Sequence, residues 1–206
     1  MRKLSLQLVI LAVLVAPLWA QAPSREYPKG EVFIGFTYLS VDGRETLKRQ
    51  HAYGWGISAA YNLTSWGAIV VDGAGEYGNV NIPVAVGPTG AFTAFRKVGF
   101  SHYQVMMGPE FSKRVEEGRG FFHALFGLDF AQTPGINDRP LPVVPLPFSF
   151  NRSNTHFAVA LGLGADRNIH KDLAIRVFQF DYLMIRSKPV THDYRVQGGL
   201  VWKLGM

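Results

Sequence analysis

Ten ionisable side chains in this 206-residue sequence fall inside otherwise apolar or small-residue runs: Asp72, Glu76, His102, Glu110, His123, Asp129, Asp166, Arg176, Arg195 and Lys203. "FFHALFGLDF" at 121–130, which holds His123 and Asp129, is the clearest case. Carboxylates, imidazoles and guanidinium groups can serve proton transfer, nucleophile activation, metal binding or ion pairing, and the spacing separates these uses. A serine nucleophile needs a histidine base within hydrogen-bond reach and an acid to orient it. Ser101 and His102 are adjacent, and adjacent residues of a strand point to opposite faces. No HExxH is present, and the six histidines show no metal-ligand spacing. "GWGISA" at 54–59 fits GxGxxA only on paper, because no strand-to-helix context follows it. Ion pairing in a crowded interior is the use that remains, since opposite charges buried together satisfy one another and a half-satisfied set is worse than none.

The elements that position these groups are strands. Apolar residues alternate with small or polar ones at period two through eight segments: 31–40, 52–62, 67–77, 102–113, 121–130, 156–166, 173–186 and 194–204. In 52–62, Tyr53, Trp55, Ile57, Ala59 and Tyr61 oppose Gly54, Gly56, Ser58, Ala60 and Asn62. In 121–130, Phe122, Ala124, Phe126, Leu128 and Phe130 oppose His123, Gly127 and Asp129. Segment 173–186 breaks parity, with Arg176 on one face and Asp181 on the other, and a β-bulge between them would put both on one side. Connections alternate in length. Those at 41–51, 78–101, 132–155 and 187–193 are longer or rich in proline and glycine, whereas 63–66, 114–120 and 167–172 are short and mostly polar.

Eight amphipathic strands close either a soluble cup with its apolar face inward or a membrane barrel with its apolar face outward. Face composition favours the second. The polar face is mostly Gly, Ala and Ser with scattered charges, which suits the narrow interior of an eight-stranded barrel, and the other face is Phe, Val, Leu, Ile, Tyr and Trp. Strands of about 10 residues tilted by about 40° span roughly 25 Å, the height of the apolar band in such barrels. Tyr38, Tyr53, Tyr61, Trp66, Tyr77, Tyr103, Phe111, Tyr182, Tyr194 and Trp202 gather toward strand ends, as aromatic girdles do at membrane interfaces.

Composition agrees: 48% hydrophobic, 13% aromatic, only 17% charged, with 22 glycines. There is no cysteine and so no disulfide framework. "MRKLSLQLVILAVLVAPLWAQA" at 1–22 has Arg2 and Lys3, an apolar stretch from Leu8 to Ala16 and an Ala20-Gln21-Ala22 end, the pattern of a secretory signal cleaved near Ala22. Pro17 interrupts it short of the roughly 20 residues a membrane helix needs. Losing Arg2 and Lys3 with it takes the formal net charge from +6 to +4. The remaining basic residues are scattered, which argues against nucleic-acid binding.

The signal segment, "EVFIGFTYLS", "YQVMMGPEF" with the turn "RVEEGRG", "LGLGAD", "RVFQFDYL" and "VQGGLVWKLG" together resemble the small eight-stranded outer-membrane barrels of Gram-negative bacteria, the OmpA-like or OmpX-like group. The chain departs from that group at Leu204, Gly205 and Met206, where such barrels commonly close on an aromatic residue. The resemblance implies an all-β, eight-stranded antiparallel up-and-down transmembrane barrel over 31–206, after a linker at 23–30. It further implies residence in outer-membrane lipid as a monomer, with periplasmic chaperones and the barrel-assembly machinery as partners during biogenesis. No cofactor, metal or catalytic site is expected, and the expected role is structural or interaction-based around a side-chain-filled lumen. A channel or carrier for small hydrophobic molecules, using the apolar connections 78–101 and 132–155, is the second reading. A lipid-modifying outer-membrane enzyme is the third, although the His-x-Ser-Asn arrangement of the lipid A deacylases is absent.

Overall fold

A computed structural model describes residues 27–42, 49–85, 92–132, 153–188 and 190–205, with side chains outside 81–96 and 153. Eight strands form in chain order: β1 Gly30–Val41, β2 Gln50–Asn62, β3 Gly67–Ala85, β4 Phe92–Arg114, β5 Gly118–Gln132, β6 Ser153–His170, β7 Leu173–Ile185 and β8 Thr191–Leu204. Each pairs antiparallel with the next, and β8 returns to β1 from Gly30↔Leu204 to Ser40↔Tyr194, closing the barrel. Closure leaves no exposed sheet edge where the wall is complete. No helix among the described residues is long and apolar enough to cross a membrane.

Tight turns at 63–66, 115–117 and 171–172 lie at one end with Lys29 and Gly205, whose backbones meet (N to O, 3.3 Å). The first turn is fastened by the Thr64 hydroxyl, which accepts from the Gly67 amide at 2.8 Å. The strand ends that lead into the longer connections lie at the other end, called here the loop end. Segments 43–48 and 133–152, and the leader at 1–22, fall outside the described residues.

One expectation is corrected. Residues 78–101, read as a connection of which a part extends the strands above the membrane, are mostly strand: β3 and β4 stay paired from Asn79↔Gly99 to Val84↔Ala94. Val80, Ile82 and Val84 continue the β-branched alternation of the strand below, so the ladder has no chemical reason to stop. β2 leaves β3 at Ala52↔Gly78, and β5 joins β4 only from Gln132↔Ser101. The β3–β4 hairpin therefore rises roughly 20 Å beyond that level at about 3.3 Å per residue.

The two faces separate as alternation requires. On β5, Phe122, Phe126 and Leu128 are 43–48% exposed, while Phe121, His123, Leu125 and Asp129 are buried. The apolar face thus points out and the polar face in, which is the membrane orientation rather than the cup. On β7 the register with β8 slips between Arg176 and Gln179. Val177 and Phe178 are both exposed there, and the extra residue returns Gln179 and Asp181 to the side of Arg176. Apolar side chains fill the interior around the charges: Phe33, Ala174 and Val201 in one cluster, and Leu39, Ala52, Val70, Met106, Leu125, Ala160, Leu183 and Ile185 in another.

Candidate functional site

The inward-facing charges form one hydrogen-bonded ladder along the lumen. At the turn end, Arg114 Nη1 meets Glu31 Oε1 at 2.6 Å and its Nη2 donates to Asn62 Oδ1 at 2.9 Å. Arg119 Nη1 reaches Glu31 Oε2 at 2.5 Å and Glu110 Oε1 at 2.7 Å, while its Nη2 donates to Asp166 Oδ2 at 2.8 Å. Arg176 Nε binds the other Asp166 oxygen at 2.9 Å, and its Nη1 donates to Gln179 Oε1 at 2.7 Å. The guanidinium of Arg176 also lies 4.4 Å from the Phe33 ring centre and 4.6 Å from that of Phe121.

Gln179 Nε2 passes the ladder to Asp181, 2.9 Å from Oδ2. Asp181 is shared between His123 Nε2 at 2.9 Å and Arg195, whose Nε and Nη2 both lie 2.8 Å from Oδ2. Arg195 also holds Asp72 at 2.7 Å and donates to Gln104 Oε1 at 3.2 Å. The Gln197 amide, with its oxygen toward Arg195, accepts from Nε at 3.1 Å. Gln104 Nε2 continues to Asp129 at 3.4 Å, and Asp129 pairs with His102 Nδ1 at 3.1 Å. Glu76 accepts from the Thr37 hydroxyl at 3.2 Å.

Backbone placement explains how these groups fit. The His123–Asp181 pair occupies the space over Gly162, where a Cβ would collide with Asp181 Oδ1 and His123 Nε2. Arg195 is fully buried, as are Asp181 and Glu76. Burial of this kind demands the pairing seen, because an uncompensated charge in such a site costs several kcal/mol, on the order of 3–5.

Nine of the ten residues singled out from sequence, all but Lys203, lie in the lumen as one connected set or against it. Lys203 is half-buried at the turn end and donates to Asn168 Oδ1 at 2.5 Å, apart from the ladder. Asp129 pairs with His102 and Gln104 rather than with an arginine. Missed from sequence were Glu31, Arg114, Arg119, Gln179 and Asp193 as lumen residues. Arg114 and Arg119 were placed in the turn 114–120, and Asp193 in the link 187–193. Counting back by twos from His123 would have put Arg119 and Phe121 inside, and counting from Val32 would have done so for Glu31.

The chemistry available is ion pairing. Both lumen histidines direct ring nitrogens at carboxylates, and among the described residues no three of His, Asp and Glu converge to hold a metal.

No protein-family model matches the sequence, and no curated protein matches it. Solved structures do match. Over 87% of its length the chain is similar to the whole of neisserial surface protein A, with a TM-score of 0.60 at 13% identity. Over 86% it is similar to the whole of Ail, the attachment invasion locus protein of Yersinia pestis, with a TM-score of 0.54 at 15% identity in the complex with the heparin analogue sucrose octasulfate. A second Ail structure gives 0.54 at 16%. The fold is that of a small eight-stranded outer-membrane barrel. At these identities the likeness is one of fold, so function is argued from the chain's own side chains.

Proposed function

We propose that this chain is an outer-membrane β-barrel protein of a Gram-negative bacterium, with a closed lumen and a structural or interaction role rather than transport or catalysis. The ladder from Arg114 to His102 carries the proposal. With Glu31 and Asp72 it ties all eight strands together through their inner faces and occupies the axis a solute would need. Eight strands enclose only enough space for side chains, and here charged side chains fill it with their partners already made. The outward face supports lipid residence, with Phe36, Trp55, Val105, Phe126, Leu161 and Val177 all exposed. A leader cleaved near Ala22 and assembly as a monomer complete the proposal.

Fractionation and electrophoresis test the location: the chain is expected in the outer-membrane fraction, migrating faster unheated than boiled. A soluble periplasmic protein of unchanged mobility overturns the proposal. Planar-bilayer recording tests the lumen, with no steady single-channel current expected. Large steady currents would establish a pore instead.

A further inference from the structure

Neither the lumen nor the apolar band accounts for a patch on the outer wall at the loop end of β7, β8, β1 and β2. Two tyrosine–histidine pairs flank it. Tyr38 and His51 stack with ring centres 5.8 Å apart and join hydroxyl to Nδ1 at 2.6 Å. Tyr182 and His192 repeat the arrangement at 5.8 Å and 2.5 Å. Assigning each hydroxyl as the donor to Nδ1 puts the ring proton on Nε2, an N–H donor on an exposed side chain.

Arg49 lies between the pairs. Its guanidinium sits 4.7 Å from the Tyr194 ring centre, and Nη1 donates to the Ser40 carbonyl (3.1 Å) and hydroxyl (3.2 Å). Nη2 donates to the His192 carbonyl at 2.6 Å. Three bonds and a stacked ring hold the exposed group in place, while a guanidinium has five N–H donors. At least two are left for a ligand.

Level and charge say what that ligand is. Below the patch run Phe36, Trp55, Phe180 and Val196, each at least 40% exposed, so Arg49 stands at the upper edge of the lipid-facing surface beside Tyr38, Tyr53, Tyr182 and Tyr194. Such aromatic belts mark the headgroup level. At the loop end Arg49, Lys97, Arg186 and Lys188 are exposed. The exposed carboxylates among the described residues, Glu116, Glu117 and Asp172, all sit in turns at the other end, while at the loop end Asp42 is half-buried, its amide donating to the buried Asp193 carboxylate at 2.6 Å.

We propose that this patch binds the phosphate of an anionic membrane lipid in the leaflet at the loop end. Arg49 engages the phosphate oxygens through its free N–H groups, His51 and His192 add donors at either side, and the acyl chains lie along Phe36, Trp55, Phe180 and Val196. The planar fork of arginine suits a phosphate better than an ammonium point charge does. The site rests on the outer-membrane proposal, since it needs the patch to stand at a bilayer surface.

The test is lipid titration of the full folded chain in detergent micelles, read by native mass spectrometry, with lipid A bearing its phosphates and lipid A stripped of them. Heat-modifiable mobility confirms folding of each variant. Phosphorylated lipid A is expected to bind in preference, and Arg49→Gln to weaken it by roughly tenfold to a hundredfold, the scale of hydrogen bonds to charged groups. Arg49→Lys is expected to fall between, the His51→Gln/His192→Gln double variant to weaken binding as well, and the turn-end variant Lys113→Gln to bind as the parent does. Equal binding of the two lipids, or an unchanged Arg49→Gln, overturns the proposal. So does full competition by inorganic phosphate or sucrose octasulfate, which would assign the patch to soluble anions. A chain that stays soluble without detergent overturns the membrane proposal itself, whereas a micelle-bound, heat-modifiable barrel indifferent to phosphate overturns this one alone.

Discussion

Arg195→Met removes the cation on which the middle of the lumen depends. The guanidinium lies 2.7 Å from Asp72 and 2.8 Å from Asp181, with none of its side chain exposed. With charge centres about 4 Å apart and an effective dielectric constant of about 20, each pair contributes roughly 4 kcal/mol of attraction. The methionine fills similar volume and avoids the desolvation cost of the guanidinium, which offsets part of that loss. Breaking one side of a buried pair costs about 3–5 kcal/mol in such circumstances. The two acids do not suffer equally. Asp181 keeps His123 at 2.9 Å and Gln179 at 2.9 Å, whereas Arg195 is the one partner seen for Asp72 among the described residues. Urea unfolding in lipid vesicles, followed by the heat-modifiable gel band, reads the effect. With a slope of about 2 kcal/mol per molar, the midpoint should fall by about 2 M. Asp72→Asn added to Arg195→Met should recover more stability than Asp181→Asn does. A midpoint shift worth less than about 1 kcal/mol, or equal rescue by the two asparagines, would show that the ladder does not carry the stability assigned to it.

The same unfolding assay checks three further expectations. Gly162→Val puts side-chain atoms where Asp181 Oδ1 and His123 Nε2 already sit, and should cost about 1–3 kcal/mol as an overpacked site does; parental stability would mean that the His123–Asp181 pair is not held there. Phe126→Arg places a charge midway along the outer face of β5 and should cost about 2–4 kcal/mol, against about 0–1 for Tyr61→Arg at the edge of the apolar band. Equal costs at the two positions would contradict the lipid-facing band. Arg119→Lys keeps the charge but loses the fork that reaches Glu31, Glu110 and Asp166 together, and a loss of about 1–3 kcal/mol is expected. Parental stability in the lysine variant would make charge balance, not geometry, the requirement.

Period-two alternation made the wall legible, because lipid outside and a packed lumen inside impose opposite demands on neighbouring residues. Val177 and Phe178 show how far this goes: the clash of parity between Arg176 and Asp181 marks the bulge before any coordinate does. Strand ends were less legible, because Arg119 stands next to a turn and the polar residues of "RVEEGRG" look alike whether they face solvent or the lumen. The β3–β4 hairpin was expected only as a partial extension of the strands, its boundary set at 78, for a different reason. Above the membrane an alternating ladder needs no charged face, so 78–101 lacks the signal that distinguishes a wall strand from a connection. Partner choice was not legible at all. Asp129 and Asp181 look equivalent in sequence, yet the register sets Asp181 directly across from Arg195, while Asp129 lies across from Gln104 and meets His102 on the diagonal.

Charge is sorted by sign between the inside and outside of this barrel, and the sorting follows from its width. Eight carboxylates are buried: Glu31, Asp72, Glu76, Glu110, Asp129, Asp166, Asp181 and Asp193. Three arginines are buried with them, Arg119, Arg176 and Arg195, and Arg114 is nearly so. A lumen this narrow cannot give every acid its own cation, so two guanidinium groups are shared, Arg119 among three carboxylates and Arg195 between two. A formal net charge of +6, or +4 without Arg2 and Lys3 of the leader, then leaves the excess cations outside the lumen. At the loop end they stand exposed, whereas the acids Asp42 and Asp193 there are half-buried and buried. The acid-rich interior that keeps the barrel shut and the cationic rim offered to lipid phosphate are therefore two consequences of one partition.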